Sequence, residues 1–360
     1  MTKRRIAVFR GDGIGPEVTD QALRVLDALD LDIETVPITL GAEAYLRSGA
    51  VLTEDAIETM ASCDAILFGA LGDPRVPPGI LERGVIVALR TRFRQSVNLR
   101  PCKLRPGIPS PLRNLTSDRC DFVIVRENTE GLYAGGGATV HAGTATAAAV
   151  HTSVTTTAAT EAVVRYSFQL AARRRGRLTM CHKTNILVDA GRLWSNTVDR
   201  LQTEFPAVEV DYAHVDAMCL HLLQHPERYD VIVTDNLFGD ILSDLGAAIQ
   251  GGLGTAASAN LNLDGGAPSM FEPVHGSAPD IAGTDTANPA AAILSLAMLL
   301  ESLGELSSAS ACEDAVDTVL QRFGQSGAPM RTREFGDAVV EVLRGRMPNG
   351  QQPGVRGIDR

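Results

Sequence analysis

The alternation of short apolar strands with amphipathic helices constrains the fold of this chain more than any other feature. An apolar segment at 6–9 precedes a helix with apolar residues at a 3.6-residue period from Val18 to Leu29. Further strands are predicted at 33–38, 65–70, 121–127, 177–182, 208–215 and 230–235, and further helices at 189–204 and from Pro289 to about Leu303. This order predicts an α/β fold with a largely parallel sheet.

Composition narrows the function classes. A chain of 360 residues favours one to three domains. Its formal net charge of −10 argues against a nucleic-acid or anionic-membrane partner, so a local arginine cluster must hold any anionic ligand. Six scattered cysteines predict buried reduced thiols. The first residues contain no secretory apolar region, and no apolar run is long enough to span a membrane, so we expect a cytoplasmic protein.

The segment GDGIGPEV, residues 11–18, follows a strand and begins a helix. It is similar to the dinucleotide fingerprint G-x-G-x-x-G, but Pro16 stands where the third glycine belongs. The loop is either a structural turn or a phosphate contact. An ordinary Rossmann dehydrogenase is therefore one hypothesis, against which Pro16 counts.

Carboxylates in NLFGDILSD, residues 236–244, predict a metal site. Asp240 and Asp244 are four residues apart and project from one helix face. Oxygen ligands favour Mg²⁺ or Mn²⁺. Asp216, after another strand, is a candidate third ligand. The alternative is one capping and one solvated aspartate.

Three arginines at the ends of predicted elements suggest an anion site: Arg90, Arg100 and Arg126. Arg126 ends an apolar strand, where a charge is costly without an anionic partner. A guanidinium matches a carboxylate in a bidentate way, so the three together predict a dicarboxylate clamp. Each one alone also fits a surface salt bridge.

Other polar residues are candidates for proton transfer and cofactor binding. Lys183 follows a strand and could act as a base, and Tyr133 beside glycines could donate a proton. The loop 272–289 holds His275, Asp280 and Asn288, and a carboxylate such as Asp280 suits a ribose diol, which favours NAD over NADP.

In order along the chain, these motifs resemble the β-decarboxylating dehydrogenases, which act on isocitrate, 3-isopropylmalate, homoisocitrate and tartrate or D-malate. The matches run from GDGIGPEV through NLRP (98–101), VRENTEG (125–131), HKTN (182–185), VDAM (215–218), NLFGDILSD and EPVHGSAPDIAG (272–283) to RTREFGDAV (331–339). The resemblance implies a two-domain α/β fold with a large mixed sheet, not a Rossmann fold. It places residues 1–95 and 251–345 in the cofactor-binding first domain, 96–250 in a dimerising second domain, and 346–360 in a C-terminal tail.

The resemblance also implies residue roles in NAD-dependent, metal-dependent oxidative decarboxylation of a malate-type hydroxy diacid. Arg90, Arg100 and Arg126 bind the carboxylates, while Asp240 and Asp244, with Asp216 of the neighbouring chain, bind Mg²⁺ or Mn²⁺. Lys183, also from the neighbour in a homodimer with shared sites, accepts the hydroxyl proton, and Tyr133 assists protonation of the product. Asn185 lies near the substrate. The cofactor set is Glu272, His275, Gly276, Ser277, Ala278, Asp280, Ile281 and Asn288.

The substrate's C3 group is expected to meet the segment 84–90. Ile86 and Val87 suit an alkyl group, which favours a 3-isopropylmalate-like substrate. VRENTEGLY and the loop 73–79 keep the tartrate/D-malate, homoisocitrate and isocitrate types open. Arg83 keeps a phosphonomethylmalate-type substrate open, and Asp235 has no explanation in the sequence. The alternative of another class is a non-catalytic regulatory subunit. The small-residue stretch 134–150 is expected to be a flexible arm or loop.

Overall fold

The computed structural model describes residues 3–133, 135–326 and 331–346. The strands are β1 Arg4–Phe9, β2 Ile33–Pro37, β3 Ala65–Phe68, β4 Val97–Lys103, β5 Asp121–Glu127, β6 Gly137–Val140, β7 Ala148–His151, β8 Arg177–His182, β9 Glu209–His214, β10 Val231–Thr234, β11 Ala257–Leu261 and β12 Ser269–Pro273. The α-helices are α1 Gly15–Ala28, α2 Ala42–Ser48, α3 Glu54–Ala61, α4 Ala88–Arg92, α5 Thr157–Arg173, α6 Val188–Gln202, α7 Val215–Gln224, α8 Asn236–Ile249, α9 Ala290–Ser302, α10 Leu306–Ser326 and α11 Thr332–Arg346. A π-helical turn, Glu82–Val87, leads directly into α4.

Ten strands form one mixed sheet in the order β2-β1-β3-β12-β11-β4-β5-β10-β8-β9. Neighbours in β2-β1-β3-β12 are parallel, as are those in β5-β10-β8-β9. The central pairs β12-β11, β11-β4 and β4-β5 are antiparallel. The two parallel groups therefore run in opposite directions on either side of β11 and β4.

Four apolar clusters cover the two faces of these two strand groups. The first half is packed by α1, α9, α10 and α11 on one face and by α3 and α4 on the other. The second half is packed by α5 and α6 on one face and by α7 and α8 on the other. Strands β1–β3, β11 and β12 come from the ranges assigned to the first domain, and β4, β5 and β8–β10 from the range assigned to the second. The domain boundaries themselves stay a prediction.

The small-residue stretch differs from its sequence-based expectation. The expectation there is an arm or a loop. Residues 137–140 and 148–151 pair as an antiparallel ribbon whose side chains are exposed, so the loop alternative is wrong and the segment is an extended two-stranded arm. Positive φ angles at His141 and Gly143 turn the chain between the strands. Thr and Val in one strand and Val in the other favour extended backbone, but interspersed alanine and glycine hide that signal.

Three other expectations concern the chain as a whole. Within the described ranges, all six cysteines are free thiols. No helix there has the length and apolarity needed to cross a bilayer. Beyond Arg346, at which α11 ends, the predicted C-terminal tail lies outside the described residues.

Candidate active site

The fold buries three arginines near the middle of the sheet. Arg90 lies in α4, Arg100 in β4 and Arg126 in β5, with exposed fractions of 7%, 8% and 1%. Burial lowers the pKa of Arg90 to about 10, and the positive charges of Arg126 and Arg100 add to that effect. Burial and the charge of Arg126 also lower the pKa of Arg100, so the three arginines form one concentrated positive site that favours an anion.

Polar side chains fix the orientation of two of these guanidiniums. Arg100 donates from Nε to Asn98 Oδ1 and from Nη1 to Ser243 Oγ, both at 2.7 Å. Arg126 donates from Nε and Nη2 to Asn236 Oδ1, at 3.0 and 2.7 Å. Such preorganised donors recognise an anion without the entropic cost of ordering long side chains.

Glu272 contacts the third arginine. Its Oε1 lies 3.5 Å from Arg90 Nη2 and accepts a 2.8 Å hydrogen bond from Asn260 Nδ2. The sequence resemblance assigned Glu272 to the cofactor set, and a cofactor contact for it stays a prediction. Arg90 Nε is buried and has no hydrogen-bond partner among the described residues, a costly state that an acceptor would relieve.

Two aspartates of α8 face this arginine cluster. Arg126 Nη1 donates to Asp240 Oδ1, and Arg100 lies 3.9 Å from Asp240 and 3.7 Å from Asp244. Burial alone would raise the pKa of Asp240, but Arg126, Tyr133 and Arg100 hold it below its ordinary value. Burial, with repulsion from Asp240, raises the pKa of Asp244 although Arg100 opposes it. A cation in addition to Arg100 would offset the repulsion between Asp240 and Asp244, so these two carboxylates fit a hard metal ion.

Tyr133 closes the same site. Its hydroxyl donates to Asp240 Oδ2 at 2.7 Å, and Arg126 Cζ lies 5.0 Å from the centre of its ring. Burial and then the Asp240 carboxylate raise the pKa of Tyr133, while Arg126 opposes them. The phenol therefore keeps its proton at neutral pH and is available as a donor.

Lys183 and Asp216 form a separate group. Lys183 Nζ donates to Asp216 Oδ1 at 2.6 Å, and this contact lowers the pKa of Asp216. No three metal-ligating side chains come together within residues 3–133, 135–326 and 331–346, so Asp216 does not complete the Asp240–Asp244 pair within one chain. Asn185 is exposed beside them.

The candidate cofactor residues lie in the loop between β12 and α9. Ile14 N donates to Ser277 O at 2.8 Å, and a Cβ on Gly13 would lie 2.0 Å from that oxygen. Glu17 accepts hydrogen bonds from the backbone of Gly283 and Asp285. The contacts described for GDGIGPEV are therefore structural: the segment holds the loop.

Within that loop the side chains differ in exposure. Burial lowers the pKa of His275, so its imidazole is neutral at neutral pH, and its buried Nε2 has no partner among the described residues. Asn288 Oδ1 caps α9 through Ala290 N at 2.9 Å. Asp280 and Gly276 are exposed, Ser277 is buried, and Ala278 and Ile281 are half-buried. An orphaned ring nitrogen and an exposed carboxylate in one loop fit a nucleoside with a ribose diol.

Asp235, unexplained by the sequence, caps α8, the helix that carries Asp240 and Asp244. Its carboxylate accepts a 2.8 Å hydrogen bond from Phe238 N at the start of α8 and lies 3.6 Å from His182 Nε2. Burial raises the pKa of Asp235 to about 6 and lowers the pKa of His182 to about 4. Asp235 thus orients the turn that carries Asp240.

Sequence reasoning missed the residues that orient the arginines: Asn98, Asn236 and Ser243. Two of them carried a signal. Ser243 follows Asp240 by three residues, so it shares a helix face with it. Asn98 precedes Arg100 by two residues in a strand, so both point to one side of the sheet.

Comparison with known proteins bears on the family. The model of the isocitrate/isopropylmalate dehydrogenases matches residues 5–339. The chain belongs to that family. The curated 3-isopropylmalate dehydrogenase of Corynebacterium glutamicum (strain R) is 52% identical over 94% of this family member and 99% of its own length. The enzyme of the same name from Corynebacterium urealyticum is 51% identical over the same shares.

Solved structures agree with this assignment. Isocitrate dehydrogenase from Methylococcus capsulatus has a TM-score of 0.87 at 36% identity, covering 95% of this family member and 99% of that chain. The TT0538 protein from Thermus thermophilus has a TM-score of 0.84 at 32% identity, covering 98% and 72%. The predicted family and its large mixed sheet, distinct from a Rossmann fold, are confirmed.

Proposed function

We propose that this protein is an NAD-dependent, divalent-metal-dependent dehydrogenase that oxidises and decarboxylates 3-isopropylmalate or a close 3-alkylmalate. The observation that carries the proposal is the buried group of three arginines facing Asp240 and Asp244. Such a group binds two carboxylates and a cation at once, which a hydroxy diacid with its metal requires.

Asp240 and Asp244 would hold Mg²⁺ or Mn²⁺. A metal ion there supplies Lewis-acid polarisation of the C2 oxygen and stabilises negative charge during decarboxylation. Arg90, Arg100 and Arg126 bind and orient the carboxylates, with their own geometry fixed by Asn98, Ser243 and Asn236. Because Arg126 and Tyr133 both form hydrogen bonds to Asp240, binding would require these contacts to be exchanged for substrate and metal contacts.

Two residues would move protons. Lys183 would accept the proton of the C2 hydroxyl as a neutral amine, after its own ammonium proton has passed to solvent. Within the chain, its Nζ is held by a hydrogen bond to Asp216 Oδ1. Tyr133, which keeps its proton at neutral pH, donates toward C3 after carbon dioxide leaves. Asn185, exposed beside Lys183, would contact substrate or cofactor from the same side.

The cofactor proposal rests on the loop between β12 and α9. NAD held there would supply the acceptor for the hydride of C2. His275 would contact the base, the exposed carboxylate of Asp280 would accept from the ribose diol, and Ile281 would pack beside it. The same carboxylate would repel a 2′-phosphate, which favours NAD over NADP.

The substrate proposal rests on the apolar side chains next to Arg90 and on the names of the relatives. Ile86 and Val87 are half-buried and offer no polar group to a third carboxylate. The curated relatives at 50–52% identity are named 3-isopropylmalate dehydrogenase. Both point to an alkyl group at C3 rather than to the acidic group of isocitrate or homoisocitrate.

The proposal includes a homodimer with shared active sites, because Lys183 and Asp216 pair with each other and, among the described residues, form no ion pair with the arginines or with Asp240 and Asp244. The surface that carries them also exposes apolar side chains, on the segment after Lys183 and on α7 and α8: Ile186, Val188, Leu220, Leu223 and Ile241. Such a patch is typical of a protein interface. A partner seated there would deliver its own Lys183 and Asp216 to the Asp240–Asp244 pair.

The function is tested by the rate of NADH formation from 3-isopropylmalate, malate, tartrate, isocitrate, homoisocitrate and phosphonomethylmalate. Each substrate is assayed with NAD and NADP, with Mg²⁺ or Mn²⁺ and after EDTA. We expect the highest kcat/KM with 3-isopropylmalate and NAD, and no turnover in EDTA. A higher kcat/KM for isocitrate or tartrate would show that the proposed substrate, 3-isopropylmalate, is wrong. A purified protein that is inactive on all six compounds would favour the alternative of a non-catalytic regulatory subunit.

Shared sites are tested by mixing two inactive variants, Lys183→Met and Asp240→Asn, after denaturation and refolding together. Half of the dimers then combine one chain of each kind, and each such dimer has one intact site. We expect about a quarter of the parent activity to return. Refolding each variant alone is the control, and no recovery in the mixture would mean that Lys183 serves its own chain.

A further inference from the structure

The segment before Arg90 adopts an uncommon conformation with a defined orientation. Residues 82–87 form a π-helical turn that continues into α4. Ile86 and Val87 precede Arg90 by four and three residues, the spacing of neighbours along a helix, and both are half-buried. Val85 and Leu89 are fully buried in the core, and Ile86 packs in part against the same core cluster. The turn therefore connects the core packing to the helix that carries Arg90.

Gly84 lies at the back of this turn because of close packing, not because of its backbone conformation. Its φ angle is outside the left-handed region, and a Cβ there would lie 2.5 Å from Val51 Cγ1 and 3.2 Å from Val51 Cβ. Val51 is β-branched, so its side chain has few other rotamers to adopt. The turn is thus packed as closely against Val51 as its backbone allows.

Val51 is itself held from behind. It lies in the loop between α2 and α3 and packs against a small apolar cluster that includes Leu81, Val76 and Ala42. It also packs against the larger core cluster that Ile86 contacts. Val51 therefore lies between these apolar clusters and Gly84, and its volume limits how closely the π-helical turn can approach the core.

We propose that Val51, which is outside the arginine–aspartate site, is a specificity-determining positioning residue. It sets the room available for the C3 group through its contact with Gly84. This inference rests on the proposed function. It makes two opposite predictions: a side chain at position 84 moves the turn toward the substrate, and a smaller side chain at position 51 lets the turn retreat.

The test measures kcat/KM for malate, 3-methylmalate, 3-isopropylmalate and 3-isobutylmalate in the parent, Gly84→Ala, Val51→Ala and the double variant. For Gly84→Ala we expect the ratio of 3-isopropylmalate to malate to fall about tenfold or more, since one methylene in an apolar pocket has that effect. For Val51→Ala we expect the ratio of 3-isobutylmalate to 3-isopropylmalate to rise roughly tenfold. The double variant should return to within about threefold of the parent, because the two changes compensate.

Controls separate specificity from stability. Gly266→Ala adds a methyl group where nothing lies within 4 Å, and Val210→Ala shortens a half-buried valine of β9, so both should keep the parent ratios. Tm is measured for every variant. If Tm shows coupling between positions 51 and 84 while the substrate ratios stay constant, Val51 is only structural and the proposal is overturned.

Two further outcomes are distinguishable. A parent that turns over none of these malates refutes the proposed function and, with it, the specificity role. A parent that is active, with Gly84→Ala ratios unchanged or with no recovery in the double variant, overturns the inference alone. If Gly84→Ala does not fold, Val51→Ala decides: an unchanged preference for 3-isobutylmalate counts against the proposal.

Discussion

The arginine–aspartate cluster and the Lys183–Asp216 pair use the same kinds of charge in different surroundings. In the cluster, Arg126 is 1% exposed and its hydrogen bonds are satisfied by Asn236 and Asp240. In the pair, the side chain of Asp216 is 68% exposed. The side chain of Lys183 is 24% exposed. The cluster is thus part of the folded core, while the pair lies nearer the surface. This difference is what the proposed shared site would require, with the cluster binding substrate within its own chain and the pair acting in the site of a partner.

The largest effect is expected from Arg126→Met in the cluster. This change leaves Asp240 without its nearest cation and Asn236 Oδ1 without its donor. We expect kcat/KM to fall roughly 100-fold or more and the free energy of unfolding to drop by about 3 kcal/mol. Steady-state kinetics and urea unfolding measure the two effects, and parent-like stability would contradict the account of a core site.

The matching change in the pair is Lys183→Ala. Activity should again fall roughly 100-fold or more, because the proposed base is gone. Stability should change by less than about 1 kcal/mol, because exposed ion pairs contribute little. A large loss of stability in this variant would erase the distinction between the two regions.

A smaller effect is expected from Asp244→Asn, at the edge of the cluster. Its raised pKa shows that the site disfavours a second negative charge without a cation. We expect the apparent Kd for Mg²⁺ or Mn²⁺ to rise at least tenfold, while the ligand-free protein becomes no less stable. Metal titration of activity and thermal unfolding in EDTA check these outcomes, and unchanged metal affinity would remove Asp244 from the ligand set.

The smallest effect concerns the pH dependence of stability at the cap of α8. Asp235, with its pKa raised to about 6, contributes stability that is present in acid and lost as pH rises through 6. His182, with its pKa lowered to about 4, contributes stability that is present above its ordinary pKa and lost as pH falls through 4. In the parent, the contributions of Asp235 and His182 to the free energy of unfolding therefore change with pH in opposite directions between about pH 4 and 6.

Asp235→Asn preserves the cap of α8, since asparagine also accepts a hydrogen bond from Phe238 N. It removes the pH dependence of stability that Asp235 contributes. The variant should lose roughly 1–3 kcal/mol relative to the parent as pH falls from about 6.5 to 4. Urea unfolding at several pH values measures this. Asp189→Asn is the control because its side chain is 97% exposed. Parallel pH curves for Asp235→Asn and the parent would contradict the proposed opposition.

Local spacing predicted much of the candidate site. Asp240 and Asp244 four residues apart, and Arg126 at the end of an apolar strand, pointed to neighbours that the structure brings together. Relations between distant segments could not be predicted from spacing. Glu272 contacts Arg90 only because β12 lies between β3 and β11, and 182 residues separate the two side chains.

Local conformations that depend on packing were also missed. The segment 82–87 has the apolar spacing of an ordinary helix, so its sequence does not indicate a π-helical turn. In the structure, this turn packs closely against Val51. The ribbon at 137–151 has too few large side chains to reveal its strands. Family resemblance supplied the expectation that Lys183 and Asp216 act in the site of the neighbouring chain, since a pair on a surface has no local sign of the site it would serve.

The position of β12 has a consequence for how the chain acquires its fold. Strands β3 and β11 do not pair with each other, because β12 from residues 269–273 separates them. When β3 has left the ribosome, one of its edges has no native neighbour until some two hundred further residues have been made. The intervening strands β5, β8 and β10 can already pair among themselves. We expect the strands in the middle of the chain to form their native pairs first during synthesis, and the sheet around β3 to be completed only after β12 has been made.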